Sequence, residues 1–269
     1  MSTDKRNDAI KSILMAAMKA EKPTPAVVDG RITLGDFRYL VSENGESVML
    51  LEYLSDKETV RVPGHVRIPG EETDRRVALL SIGSFMQKEN VREVWLEEGI
   101  MAAVGSFMGC DALERVHLPD SIDDDHIGCA IRGCQNFKGF TVKASNSFYR
   151  IEDDCLIRKD NGLLVSGPRD RSEFSVPAGV TAISGSAFTE SCMLETVVIP
   201  EGVTVIGDEA FFGCLLLDEV KLPGTLEDIG LGAFCECPRL KSLGVPAGTA
   251  FAGQTERDFD LIMGCEEEM

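Results

Sequence analysis

The chain repeats itself with a period of about 23 residues, and no other feature restricts its fold as much. Phe188 lies 23 residues before Phe211 and Phe234 lies 23 after it. Phe85 and Phe107 are 22 apart, and Ile131 falls 24 after Phe107. Three residues beyond these anchors stand Cys110, Cys134, Cys214 and Cys237, with Lys88 and Ser191 as departures. Six beyond are Val91, Leu113, Phe137, Leu194, Leu217 and Leu240; nine beyond are Val94, Val116, Phe140, Val197, Val220 and Leu243. Eleven beyond come Leu96, Leu118, Val142, Ile199, Leu222 and Val245, often followed by proline (Pro119, Pro200, Pro223, Pro246).

Each column has a physical meaning. Leu217-x-x-Val220-x-Leu222 sets apolar residues at strand period around an outward Lys221, and Pro223, which has no N–H for a ladder, ends the strand. Val205-Ile206-Gly207 turns the chain back, Ile206 and Phe211 point inward, and Gly213-Cys214 closes the arc. One such unit buries too few apolar side chains to offset the entropy of ordering it, so only stacking on its neighbours makes it stable. The expected fold is a solenoid.

The units Ala187-Phe188…Leu194…Val197-Val198-Ile199-Pro200-Glu201-Gly202-Val203-Thr204-Val205-Ile206-Gly207 and Ala210-Phe211-Phe212-Gly213-Cys214…Leu217 closely resemble BspA-like leucine-rich repeats of bacteria. The resemblance runs from about Ile32 to Phe251. It takes in Phe37-Arg38-Tyr39-Leu40-Val41 and Val48-Met49-Leu50-Leu51-Glu52-Tyr53-Leu54, ahead of Val60-Arg61-Val62-Pro63, which look like the family's N-terminal β-hairpin cap. It implies a leucine-rich repeat solenoid, a right-handed α/β-type coil stack that is mostly β with irregular or short helical returns. It also implies a protein- or ligand-binding scaffold rather than a catalyst.

Two departures interrupt the array. Ile82-Gly83-Ser84-Phe85 and Val104-Gly105-Ser106-Phe107 are two residues shorter than Ile206 to Phe211, which predicts tighter early coils. Ile131 and Phe188 are 57 residues apart, eleven more than two regular coils. The extra length fits strands at Tyr149-Arg150-Ile151, Cys155-Leu156-Ile157 and Leu163-Leu164-Val165, with a turn at Lys159-Asp160-Asn161-Gly162 marked by its Asn-Gly signal. Near the start, Ile10, Ile13, Leu14, Ala17 and Met18 share one face of a predicted α-helix that Pro23 and Pro25 stop. The expected layout is an amphipathic helix and linker over 1–25, a β-hairpin cap over 26–75 and repeat blocks over 76–142 and 176–250. An expanded repeat over 143–175 separates the blocks, and an acidic tail covers 251–269.

Composition narrows the activity. Lys and Arg total 27 against 45 Asp and Glu, and a net charge of −18 repels phosphate backbones, so nucleic-acid binding is not expected. No apolar run reaches the ~20 residues that cross a bilayer. The cysteines number 9, which leaves one over from any full pairing, and the apolar stretch Ile13–Met18 is shorter than the roughly 7–15 residues of a secretory core. Free thiols without an export signal point to the cytoplasm, or to the cell surface or exterior if a leader was removed.

No cofactor, metal or catalytic residue is expected. Cys235-x-Cys237 and Cys129-x4-Cys134 lack the paired spacings and histidine partners of a zinc site, since the only histidines are His65, His117 and His126. Four cysteines in one column read instead as a buried ladder of small side chains kept as thiols. Coils stacked ~4.8 Å apart would bring Cys110 to Cys134 and Cys214 to Cys237 within disulfide reach. Ile183-Ser184-Gly185-Ser186-Ala187 is a return turn rather than a nucleophile elbow, and no phosphate loop occurs. The runs Asp123-Asp124-Asp125 and Glu152-Asp153-Asp154 lack calcium-loop spacing and read as solvated faces.

The surface left to act is the strand face. Alternation places Trp95, His117, Thr141, Val198, Lys221 and Gly244 in one outward column, with Glu93, Arg115, Gly139, Thr196, Glu219 and Ser242 beside it. Trp95 is the sole tryptophan, and Trp and Arg dominate interface energetics; alternatively the hairpin or N-terminal helix folds over it. The candidate partner-binding residues are therefore Trp95, His117, Arg115, Glu93, Thr196, Val198, Glu219 and Lys221. The expected function is a non-enzymatic scaffold that recognises a protein partner with a basic surface. The alternative is a structural module that self-assembles into a homo-oligomer through its end coils or N-terminal helix.

Overall fold

A computed structural model describes residues 29–42 and 45–251. The expected N-terminal helix and most of the acidic tail lie outside the described residues. Strands β1 (Arg31–Leu34), β2 (Phe37–Val41) and β3 (Ser47–Tyr53) pair antiparallel in sequence order. Of the next three strands, β4 (Thr59–Val62), β5 (His65–Arg67) and β6 (Asp74–Leu80), the last pairs parallel with β3 and antiparallel with β5. The result is a five-stranded sheet, β1-β2-β3-β6-β5, larger than a hairpin.

β4 leaves that sheet and begins a ladder. It pairs in parallel with β7 (Glu93–Leu96), followed by β8 (Arg115–His117) and β9 (Gly139–Thr141), in the register Val60↔Val94↔Val116↔Phe140. β10 (Tyr149–Glu152), β11 (Cys155–Arg158) and β12 (Leu163–Ser166) form an antiparallel meander. Then come β13 (Glu173–Ser175), β14 (Ala182–Ile183), β15 (Thr196–Val198), β16 (Val205–Ile206), β17 (Glu219–Lys221), β18 (Asp228–Ile229) and β19 (Ala250–Phe251). β13-β15-β17 make a second parallel ladder, while β14, β16, β18 and β19 extend the meander into a seven-stranded sheet.

The meander joins two cores. Leu156 and Val165 belong to the first buried cluster, whereas Cys155, Ile157 and Leu164 belong to the second. Alternate side chains of one strand face opposite ways, so β11 and β12 are covered on both faces. The turn between β10 and β11 is Asp153-Asp154, with φ of 49° and 62°. Aspartate tolerates this left-handed region better than most residues, and two positive φ values match the twist of a two-residue hairpin. The turn expected at Lys159-Asp160-Asn161-Gly162 falls between β11, which ends at Arg158, and β12, although of its Asn-Gly pair only Gly162 has positive φ.

Arg158 also corrects the reading of Asp123-Asp124-Asp125. Its nearly buried guanidinium donates to Asp123 Oδ1 and Asp125 Oδ1, each at 2.6 Å, and to Asp160 at 3.0 Å. Asp124 is itself buried: it accepts the His126 N–H at 3.0 Å and the Ala103 N–H at 3.3 Å, and its own N–H donates to Tyr149 Oη at 2.7 Å. The aspartate run is a clamp between the first block and the meander.

The rings stack as the repeat requires. Phe188, Phe211 and Phe234 have centroids 4.9 and 5.1 Å apart and planes within 4° and 5°. Tyr53, Phe85 and Phe107 form a separate stack at 5.0 and 5.1 Å. The returns are irregular, as expected, but the stack is not of α/β type, since the only helix among the described residues is the 3-10 turn Ile127–Ile131. The residues two before and two after each ladder phenylalanine explain this. Gly83 and Gln87, Gly105 and Gly109, Ser186 and Glu190, Glu209 and Gly213, Gly232 and Glu236 all have φ between 55° and 70°. A left-handed residue every four positions stops an α-helix from propagating.

The cysteine column is made of free thiols with a polar task. Each Sγ–H donates to the carbonyl of the ladder phenylalanine one coil back: Cys110 to Phe85 at 2.9 Å, Cys134 to Phe107 at 3.0 Å, Cys214 to Phe188 and Cys237 to Phe211 at 3.2 Å. Burial pushes the Cys110 thiol up to about 11 and Cys134 up to about 12. Both stay protonated at neutral pH and so resist reaction. In the native protein a charged disulfide reagent is therefore expected to modify the exposed Cys192 while Cys110, Cys134, Cys155, Cys214 and Cys237 react only after denaturant is added. Peptide mapping of the modified sites checks this; labelling of Cys134 as fast as Cys192 would contradict it.

Candidate functional site

The register of the first ladder builds the outward face directly. Arg61↔Trp95↔His117↔Thr141 form one column, and Thr59↔Glu93↔Arg115↔Gly139 the next. Within the first column the side chains touch in sequence. The Arg61 guanidinium lies 4.8 Å from the Trp95 ring centroid, and the Trp95 and His117 rings stack at 3.5 Å with 9° between planes. His117 Nε2 meets Glu93 Oε1 at 2.7 Å and Nδ1 meets Thr141 Oγ1 at 2.6 Å. With both nitrogens engaged, His117 holds Trp95 in place and has none free to move a substrate proton.

Trp95 is half-buried by its column neighbours and lines an open groove of about 720 Å³. Arg61, His65, His117 and Lys143 line it together with the carboxylates Glu97 and Glu98. Glu98 is fixed: burial pushes its pKa up, but the N–H groups of Asp120 and Ser121, each at 3.1 Å, and the Lys143 ammonium at 3.2 Å hold it below the usual carboxylate range. An aromatic surface flanked by fixed charges of both signs suits the recognition of a folded or extended polypeptide.

The structure divides the eight candidate residues between two sheets. Trp95, His117, Glu93 and Arg115 share the first ladder, whereas Thr196, Val198, Glu219 and Lys221 lie on β15 and β17. The meander inserts between β9 and β13, so no hydrogen-bonded ladder links the two sets. Lys221 Nζ pairs with Glu219 Oε1 at 3.3 Å. Arg115, paired with Glu93 on the strand next to Trp95, lines a separate groove with Glu58, Arg92 and Glu114. Arg61 is the arginine that lies over the Trp95 ring, and sequence reading missed it by starting the columns at Phe85. The pattern Val60-Arg61-Val62-Pro63 repeats the strand-then-proline signature and was the available signal.

Among the described residues, no group of three His, Cys, Asp or Glu side chains is placed to hold a metal ion, and no helix is long and apolar enough to cross a membrane.

Residues 169–255 match the profile of the BspA type leucine rich repeat region (6 copies). No curated protein sequence matches the chain. Among solved structures, a leucine rich repeat protein from T. pallidum is similar, with 23% identity over 81% of this chain and 99% of that one and a TM-score of 0.49. The pneumococcal vaccine antigen PcpA shows 15% identity over 83% of each chain and a TM-score of 0.48. A leucine rich cell surface protein from Faecalibacterium prausnitzii shows 16% identity over 81% of this chain and 83% of that one, with a TM-score of 0.41.

Proposed function

Because the chain carries a BspA type leucine rich repeat region, a module that commonly serves protein interaction, we propose that it is a non-enzymatic scaffold that binds a protein partner through the face of β4, β7, β8 and β9. The observation that carries this reading is the Arg61–Trp95–His117 stack at the floor of an open groove. Three strands hold a large aromatic side chain in a fixed orientation, so a partner meets it with little ordering cost. The net charge of −18 steers a partner with a basic surface, and Glu97 and Glu98 line the groove to receive it. Its buried free thiols support a reducing compartment such as the cytoplasm.

Capture from a lysate of the native host, with wild type and Trp95→Ala as parallel baits, tests the reading. We expect one protein retained by the wild type and lost by the variant, with affinity for the purified partner lowered roughly 30-fold or more, as for a hot-spot residue. Equal retention by both baits would move recognition off this face. Sedimentation over a range of concentrations separates the self-assembly alternative, in which the chain associates with itself whatever stands at Trp95.

A further inference from the structure

Arg169 sits in the coil that joins the two blocks, where Ser166-Gly167-Pro168-Arg169 replaces the ring-bearing turn of its neighbours. The residue is only 6% exposed, yet Nε, Nη1 and Nη2 all lack a hydrogen-bond partner among the described residues. A guanidinium keeps its proton at any ordinary pH, and folded proteins pair or ligand a charge they bury. Arg169 lines a groove of about 370 Å³ together with Glu190, Cys192, Phe212, Leu215 and Glu236. Glu190 is engaged elsewhere, its Oε2 accepting the Gly133 N–H. Ser191, between Glu190 and Cys192 in sequence, adds a second buried group without a partner, its Oγ.

We propose that this groove binds a carboxylate-bearing ligand whose two oxygens take the fork of Arg169. A planar carboxylate matches the guanidinium geometry bidentately. A phosphate dianion would meet Glu190 and Glu236 with only one cation to offset it, whereas a monocarboxylate carries half that charge past the same two glutamates to Arg169. Phe212 and Leu215 offer an apolar wall for the ligand's carbon body. The volume is at the small end of ligand pockets, roughly 300–1,000 Å³, so the occupant is a small free acid or the last residue of a peptide. The Arg169 nitrogens are closed off from solvent, so the carboxylate must displace a wall side chain, and the exposed Leu215 and Cys192 are placed to turn aside. This site is independent of the Trp95 groove.

Thermal denaturation and calorimetry of the full chain test the proposal, with isovalerate as a free acid, N-acetyl-leucine as a peptide end, N-acetyl-leucinamide as the uncharged control and inorganic phosphate as the competing anion. The melting temperature is expected to rise by several degrees at about 100-fold excess over Kd with at least one acid, and to stay unchanged with the amide and phosphate. A response to N-acetyl-leucine alone assigns a peptide carboxyl terminus, and a response to isovalerate assigns a small acid. Arg169→Met, which replaces an unpartnered charge by an apolar chain of similar reach, is expected to be at least as stable as wild type and to lose the response. The proposal is overturned if wild type responds to neither acid or to phosphate alone, or if Arg169→Met keeps the response. A variant markedly less stable than ligand-free wild type would overturn it as well, because the guanidinium would then have an internal partner.

Discussion

Phe211→Ala is expected to cost about 3–5 kcal/mol and to lower the melting temperature of the C-terminal coils by roughly 10 °C. The ring is fully buried and sandwiched, at 4.9 Å from Phe188 and 5.1 Å from Phe234, so truncation removes two ring contacts as well as buried area. The cavity would not collapse easily, because the coils above and below are held apart by their own ladder hydrogen bonds. Phe211 belongs to the second buried cluster and the Tyr53–Phe85–Phe107 stack to the first. The loss should therefore fall on the second block and split the unfolding curve, as expected for a fold stabilised between nearest neighbours. Circular dichroism melting checks this, and a change of only a degree or two would show that the rings do not bear on stability as a stack.

Gly64→Ala is expected to destabilise the first block by about 3 kcal/mol or more, at the upper end of overpacking effects. A Cβ at this position would lie 1.8 Å from the carbonyl oxygen of Glu98 and 2.6 Å from its carbonyl carbon. Both are backbone atoms, so no side-chain rotation relieves the clash. Gly99 faces it in turn, with a Cβ position 2.6 Å from the Gly64 oxygen, so the turns after β4 and β7 touch backbone to backbone. Pushing them apart would shift Glu98 and widen the groove beside Trp95. The variant is expected to lose partner binding together with thermal stability, whereas Trp95→Ala should lose binding alone. A Gly64→Ala protein that melts with wild type would refute the close packing of these coils.

Periodicity made the interior legible. A residue that must meet its counterpart one coil away is chosen for that contact, so Phe, Cys and Val recur in columns and the stacking follows from the spacing. What the sequence concealed depends on contacts that do not repeat. Asp123 and Asp125 looked solvated because their partner Arg158 lies 35 and 33 residues downstream, with no recurring pattern to announce it. β11 and β12 read as ordinary hairpin strands, and nothing in a short apolar run tells burial on one face from burial on two. The split of the outward face into two sheets follows from the same insertion. Arg61 was within reach of the repeat pattern, one coil ahead of the first aligned phenylalanine. Arg169 was not, because a single arginine carries no sign of whether its charge finds a partner.

Trp95 is the only tryptophan in the chain, so its fluorescence reports the strand face without a label. Acrylamide quenching of that emission, measured before and after adding the purified partner, is the most direct examination of where recognition occurs. Half-buried between Arg61 and His117, Trp95 should be quenched in the free protein and protected in the complex. A partner that binds fully while quenching stays the same would place the contact elsewhere and remove the first ladder from the function.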